Sequence, residues 1–307
     1  MAFDRNYDAK VRAAAFEWLS RRVSMHGEVL SRDLLARGFE LDERRIPLVG
    51  PQGIFKPAVM EVPLSITTAP NGPYDDAFGY DNLLRYRYRG TDPQHRDNVG
   101  LRFAMQNNLP LAYFHGLVRG KYLAMWPVYV VRDQPEYLAF SIAVDDAKQL
   151  DIFSEAHQAT GAVADIRRGY VTTTAVRRLH PSAFRERVLR AYRHQCAFCR
   201  LRHGELLDAA HIIPDAEPEG QPIVSNGLSL CRLHHATFDR FFVGVRPDGI
   251  IEVRSDILSE FDGPTLQHAI QGLHDQPIAV PRKPAERPSV DLLAERYDRF
   301  LEVAAAI

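Results

Sequence analysis

The stretch CAFCRLRHGELLDAAHIIPDAEPEGQPIVSNGLSLCRLHHATFD, residues 196–239, decides how the C-terminal part of this 307-residue chain is read. All three cysteines of the protein lie inside it, as Cys196-Ala-Phe-Cys199 and Cys231-Arg-Leu-His234, two closely spaced pairs with 31 residues between them. Two tight knuckles of thiolate and imidazole donors supply the tetrahedral set that a structural zinc ion takes. Cys196, Cys199, Cys231 and His234 therefore predict a structural Zn2+ site with no coordination position left open. The competing reading is three unrelated buried thiols, because free cysteine often serves as a small core residue. Zinc-ribbon spacing of the whole cysteine content argues against it.

A second polar set is threaded through the first: Asp208-Ala-Ala-His211-Ile-Ile-Pro, then Asn226-Gly-Leu, then His235 directly after the last cluster residue, then Phe238-Asp239. Cleaving a phosphodiester needs an activated water, a cation on the phosphate and leaving oxygen, and a rigid platform. A neutral imidazole at His211 suits general-base work on the water. His235 suits the cation. If Leu207 to Ile212 is a strand, the side chains at 208 and 210 share a face, which lets Asp208 join His235 as a metal ligand.

In the order His, Asn, His and in its zinc-knuckle framing, the region from roughly 170 to 250 resembles the HNH family of ββα-metal nucleases. The resemblance implies His211 as the base and Asn226 as the residue that pins the loop carrying it. It also implies one catalytic divalent cation (Mg2+, Mn2+, Co2+ or Ni2+) on His235, with Asp239 bonded behind that histidine. The family often carries a metal-binding aspartate immediately before the catalytic histidine. Here that position is Ala210, so Asp208 is expected to take its part. His180, His194 and His203 have no spacing that ties them to the motif and read as surface or phosphate-contacting groups.

Bulk charge is uninformative, at a formal net charge of −1, but its distribution is uneven. From Gly161 to His203 there are ten arginines against only Asp165 and Glu186. Such a stretch can neutralise phosphates without reading sequence, although a solvated helix face explains part of it. Pro181 to Arg193 reads as an amphipathic helix, with Phe184, Val188, Leu189 and Tyr192 on one side and Arg185, Arg187, Arg190 and Arg193 largely exposed.

The length suits two or three domains, and the fold class is α+β. Residues 1–63 read as a winged-helix-like unit. A helix over Tyr7 to Val23 is followed by a short one that Ser31 caps and Gly38 ends. Ile46 to Lys56, turning at Gly50-Pro51-Gln52-Gly53, reads as the β-wing. With near-balanced charge, this unit is as readily a packing element as a DNA reader.

Residues 64–165 read as β-rich, with strands at Leu84 to Tyr88, Leu111 to Phe114 and Tyr122 to Val131 and a helix over Asn98 to Asn107. The run Tyr74-Asp75-Asp76, then Tyr88-Arg89-Gly90, then Asp97-Asn98-Val-Gly-Leu101 and the Pro110-Leu111 strand start resembles the SRA domain of the PUA-like superfamily. That resemblance implies extrusion of a modified cytosine between aromatic rings, with Tyr74 and Tyr88 as stacking platforms. The acidic residue of the family falls where this chain has Ala77, so Asp76 would substitute. Tyrosines in such a domain also serve simply as packing residues.

Residues 166–265 form the expected nuclease domain, with a hairpin at Phe241 to Val253 turning on Asp248-Gly249. Residues 266–307 comprise an extended linker, Gln276 to Pro288 with four prolines, and a last helix from Val290 capped by Ser289. Its Leu292, Leu293, Tyr297 and Leu301 are expected to pack on the body or on a second subunit, which leaves a homodimer open. No apolar run approaches a membrane span and no secretory segment is visible. Together with cysteines spaced for zinc, this predicts a cytoplasmic protein.

These readings converge on a modification-dependent restriction endonuclease that cuts double-stranded DNA carrying modified cytosine, in the manner of phage defence. Two other classes stay open. One is an HNH nuclease indifferent to modification, whose N-terminal region binds a protein partner. The other is a non-catalytic zinc-ribbon DNA-binding protein.

Overall fold

The computed structural model describes residues 3–70, 83–144 and 181–306 and divides the α+β chain into two compact units, Met1–Ser182 and Ala183–Ile307. Unit 1 opens with helix α1, Arg5–His26. Asp4 caps its start by accepting from the Asn6 and Tyr7 amides, and Gly27, at φ 79°, ends it in a conformation that needs no Cβ. Val11, Ala15, Trp18, Leu19 and Val23 are buried. Spacings of three and four residues put them on one stripe of the helix. Strand β1, Val29–Ser31, and helix α2, Arg32–Arg37, follow. Ser31 caps α2 and Gly38 closes it at φ 62°, as the sequence predicts.

The wing does not form where it was expected. The hairpin lies earlier, between β2, Phe39–Leu41, and β3, Arg44–Ile46, and turns through Asp42 and Glu43 at φ 51° and 61°. Positive φ at both loop residues matches the twist of the flanking strands. The Gly50-to-Gly53 turn leads instead into β4, Ile54–Phe55, which pairs with β5, Ser65–Thr68. Non-local pairing thus overrides the local hairpin signal. Residues before 63 also share one hydrophobic core with the sheet: Leu19, Leu35, Phe39 and Ile46 pack with Ala112, Phe114, Tyr122 and Ala124.

The remaining strands of unit 1 are β6, Leu84–Arg87, β7, Leu111–Val118, β8, Lys121–Gln134, and β9, Ala139–Val144. They join β4 and β5 in a seven-stranded sheet of order β4-β5-β7-β8-β9-β6, with β1 paired to the start of β8. The β5–β7 pair is parallel and the others are antiparallel. Helix α3, Arg96–Gln106, connects β6 to β7. Asn98, buried in that helix, fastens the turn before it by bonding the Arg89 amide and the Arg89 and Asp92 carbonyls. The three strands and the helix legible in the sequence are all present. Strand β9 was not anticipated, because Ser141 is the one polar residue in AFSIAV and the apolar–polar alternation of a half-buried strand is missing.

Unit 2 is built on helix α4, residues 181–191, and the antiparallel pair β10, Leu207–His211, and β11, Gly227–Cys231. Helix α5, Arg232–Asp239, starts directly from β11. Phe184, Val188, Leu189 and Tyr192 are buried in the core with Leu228, Leu230, Phe238 and Val243, which matches the amphipathic reading of α4. The expected hairpin follows as β12, Val243–Val245, and β13, Ile251–Val253, with Gly249 at φ 82° in its turn. Two short helices, α6 (Ser255–Ser259) and α7 (Pro264–Ala269), lead to the last one, α8, Val290–Ala305. The proline-rich segment between them is pinned rather than loose. The Ile278 amide bonds Gly249, the Ala279 amide bonds Ala197, and both side chains are buried.

Candidate active site

Cys196, Cys199, Cys231 and His234 each offer one ligand atom, and these atoms all lie within 4.8 Å of one another. A tetrahedral zinc with sulfur at about 2.3 Å needs ligand separations of about 3.8 Å, so the donor set fits the ion. The backbone makes the cluster local. Cys196 sits in a tight knuckle whose amide bonds the Leu201 carbonyl, and Ala197 reaches the Ser229 carbonyl of β11. His234 turns Nδ1 toward the Cys196 and Cys231 sulfurs, at 3.4 and 3.3 Å. Its Nε2 lies 2.7 Å from the Ala269 carbonyl. Donation there fixes the tautomer that leaves Nδ1 free as a ligand. Hydrogen bonds from Cys196 and Cys199 lower the pKa of the Cys231 thiol.

The second polar set converges beside this cluster. Strand β10 puts Asp208 and Ala210 on one face, and Asp208 Oδ2 comes to 3.8 Å from His235 Nδ1. On the other side of the ring, His235 Nε2 is 3.3 Å from Asp239 Oδ2, one helical turn along α5. His235 is thus flanked by two carboxylates, each about half exposed. Adjacent ligands of one octahedral cation at about 2.1 Å lie about 3 Å apart, so either pair can share an ion after a small closing movement.

His211 ends β10, and its ring stacks on Phe184 at 4.0 Å and 15°. Gly227 makes that contact possible. It is the cross-strand partner of His211, and a Cβ there would come within 2.5 Å of Val188 and 2.9 Å of Phe184. The Nε2 atom of His211 is buried without a hydrogen-bond partner. Burial lowers the His211 pKa from 6.5, Asp215 opposes the shift, His235 adds to it and Asp239 opposes it. The imidazole is accordingly neutral at pH 7 and able to accept a proton.

Asn226 is fully buried. Its Oδ1 accepts from the Ile213 amide at 2.9 Å, and its Nδ2 donates to the Ile213 and Gln221 carbonyls, both at 3.0 Å. The Ile212 amide adds a bond to the Asn226 carbonyl. One side chain therefore closes both ends of the loop that leaves His211.

Sequence reasoning missed three neighbours of this site. Phe184 read as a core residue and is also the platform under His211. Arg185 read as an exposed cation, but its Nε lies 3.4 Å from Asp208 and it donates to the Gly204 and Leu207 carbonyls. Asp215 carried no motif. Phe184 and Arg185 depend on where a chain-distant helix docks, which spacing does not encode, whereas Asp215 lies only four residues after His211 in the turn that follows it.

In unit 1 the expected base-reading trio is not assembled among the described residues. Tyr74 and Asp76 lie outside them. Tyr88 is only 4% exposed, its ring 4.6 Å from that of Phe140. Its hydroxyl bonds Asp133 and receives Arg102 Nη2 at 3.3 Å. Desolvation and that Asp133 bond raise its pKa. The Tyr88 ring face is taken by Phe140, so it packs the sheet and offers no stacking surface.

Residues 196–246 match the family described as HNH endonuclease. The matched span takes in β10, β11 and α5 with His211, Asn226 and His235, and over these residues the chain is similar to HNH endonucleases. Among solved structures, it is similar to a modification-dependent TagI restriction endonuclease at 16% identity and a TM-score of 0.30, over 78% of this chain and 82% of that one. It is also similar to the type IV phosphorothioation-dependent restriction endonuclease ScoMcrA at 13% identity and a TM-score of 0.22, over 80% of this chain and 59% of that one. No curated protein matches it. Among the described residues, no helix is long and apolar enough to cross a membrane.

Proposed function

We propose that the protein cleaves double-stranded DNA bearing modified cytosine, with unit 1 as the sensor and unit 2 as the nuclease. The observation that carries the nuclease half is the approach of Asp208 to His235 at 3.8 Å, in the same small unit as a half-buried, neutral His211. His211 acts as the general base, presenting Nδ1 to the attacking water because Nε2 is buried. Asp208 and His235 hold one divalent cation, which when bound stabilises charge on the phosphate and the leaving oxygen. Asp239, whose Oδ2 lies 3.3 Å from His235 Nε2, orients that ring. Asn226 keeps the loop behind His211 in one conformation. Cys196, Cys199, Cys231 and His234 hold a structural zinc, whose binding contributes folding energy to a small core.

DNA backbone contacts fall to exposed arginines. Arg190, Arg193 and Arg202 are all exposed on unit 2 and neutralise phosphates without reading bases. Reading of the modified base belongs to unit 1. There the SRA-like sequence pattern supports Tyr74 and Asp76 as residues that bind the modified base, while Tyr88 stabilises the sheet through Asp133 and Arg102.

Digestion of one plasmid prepared without modification, with methylcytosine and with hydroxymethylcytosine tests this reading. Cutting confined to a modified form supports it. Equal cutting of all three would point to a nuclease directed by a protein partner, and no cutting with any of Mg2+, Mn2+, Co2+ or Ni2+ would point to a DNA-binding protein only.

A further inference from the structure

The family match ends at residue 246, yet helix α8 fastens both sides of the site from beyond it. Arg299 grips Glu217 with two bonds, Nη1 to Oε1 at 2.9 Å and Nη2 to Oε2 at 2.7 Å, and also bonds Glu295 on its own helix at 2.5 Å. Glu217 belongs to the tight turn that begins three residues after His211, where its amide bonds Pro214 and its carbonyl accepts from Gly220. The same turn carries Asp215, whose charge acts on His211. Gly220 adds to its closeness, because a Cβ there would come within 1.8 Å of the Pro214 carbonyl oxygen.

The second attachment is Arg296, three residues earlier and therefore on the same face of the helix. It is 6% exposed, donates to the Phe238 carbonyl at 2.9 Å and lies over the Phe238 and Phe241 rings at 4.6 and 4.2 Å. Phe238 stands between His235 and Asp239 on α5. One helix therefore holds the turn leaving the base and the helix bearing the cation ligand.

We propose that α8 braces the active site, and that Arg299, through Glu217, is a positioning residue for His211. The proposal rests on His211 being the base. A partly exposed ion pair adds little to stability, but a planar two-point grip fixes geometry that a single charge does not. Geometry matters here because a displacement of about 1 Å at a reacting group can slow chemistry by about a hundredfold.

The test is single-turnover cleavage of a duplex by the full-length protein and by Arg299→Ala, Glu217→Ala and the double variant, with zinc content and thermal midpoint recorded for each. We expect each single change to slow cleavage about tenfold to a hundredfold with KM for DNA within about twofold, and the double to lose no more than either single. Arg299→Lys should restore only part of the rate. If Arg299→Ala loses zinc or unfolds, Glu217→Gln decides: about tenfold slower supports the brace and a wild-type rate refutes it. Single variants at the wild-type rate, or a double whose loss is the product of the singles, overturn the proposal. His211→Ala run alongside separates the two failures. If that variant cleaves normally, the base assignment has failed; if it is dead while Arg299→Ala is fully active, only the brace has.

Discussion

Asp208 on β10 and His235 on α5 face each other at 3.8 Å, although 26 residues of loop and strand separate them in sequence. Strand alternation brings them together: Asp208 shares the face of Ala210, the position at which the HNH pattern often carries its acid. We propose that Asp208 takes the part of that acid from two residues away on the same face.

This relationship makes metal affinity the first quantity to measure. Asp208→Asn is expected to raise the divalent cation concentration for half-maximal cleavage at least about tenfold, and His235→Ala more than that. Asp239→Asn, acting through the ring it orients, should fall at the lower end of the ten- to hundredfold range typical of such supporting residues. If Asp239→Asn weakens metal binding more than Asp208→Asn, the cation sits on the Asp239 side of His235.

Removal of zinc should unfold unit 2. Cys199→Ser, or a strong chelator, is expected to lower the thermal midpoint of that unit and release about one equivalent of zinc per chain. A protein with no zinc and an unchanged transition would show that the Cys3His group is only a packed cluster.

Asn226→Ala removes three side-chain hydrogen bonds and leaves the Ile213 amide and carbonyl unsatisfied in a buried loop. A loss of about 2–4 kcal/mol is expected from urea unfolding, since each stranded buried group costs about 1–3 kcal/mol. An effect below about 0.5 kcal/mol would mean that the loop is held by other contacts.

The pH profile has a definite sign. As the proposed base, His211 would act in its neutral form, and burial lowers its pKa from 6.5. The acid limb of kcat/KM should therefore fall at a lower pH than for an ordinary histidine, with activity rising as the proton is lost and level by neutral pH. A limb centred above 6.5 would contradict this protonation state.

Much of the nuclease was legible because its signals are local. Cys196 to Cys199 and Cys231 to His234 are each one knuckle, and the strand-helix junction at Cys231 places His234 and His235 by helical geometry alone. Asp208 was reachable from alternation. Phe184, Arg185 and Arg299 were not, because their roles arise from the docking of helices whose patterns mark only an apolar face. In unit 1 the same limit misplaced the wing: Gly50-Pro51-Gln52-Gly53 is a turn, but its outgoing strand pairs with Ser65 and Ile66. The real hairpin turns on Asp42 and Glu43, which carry no glycine or asparagine signal. Tyr88 was expected as a stacking platform from its position in the SRA-like pattern, and sequence order cannot show Phe140 lying against its ring.

Single-turnover cleavage by His211→Ala, with duplex binding and metal binding measured on the same preparation, shows whether His211 performs the chemical step. We expect near-normal binding of both and a cleavage rate at least about a hundredfold below wild type, the usual minimum for loss of a general base. A His211→Ala protein that binds and cleaves at nearly the wild-type rate would contradict that role.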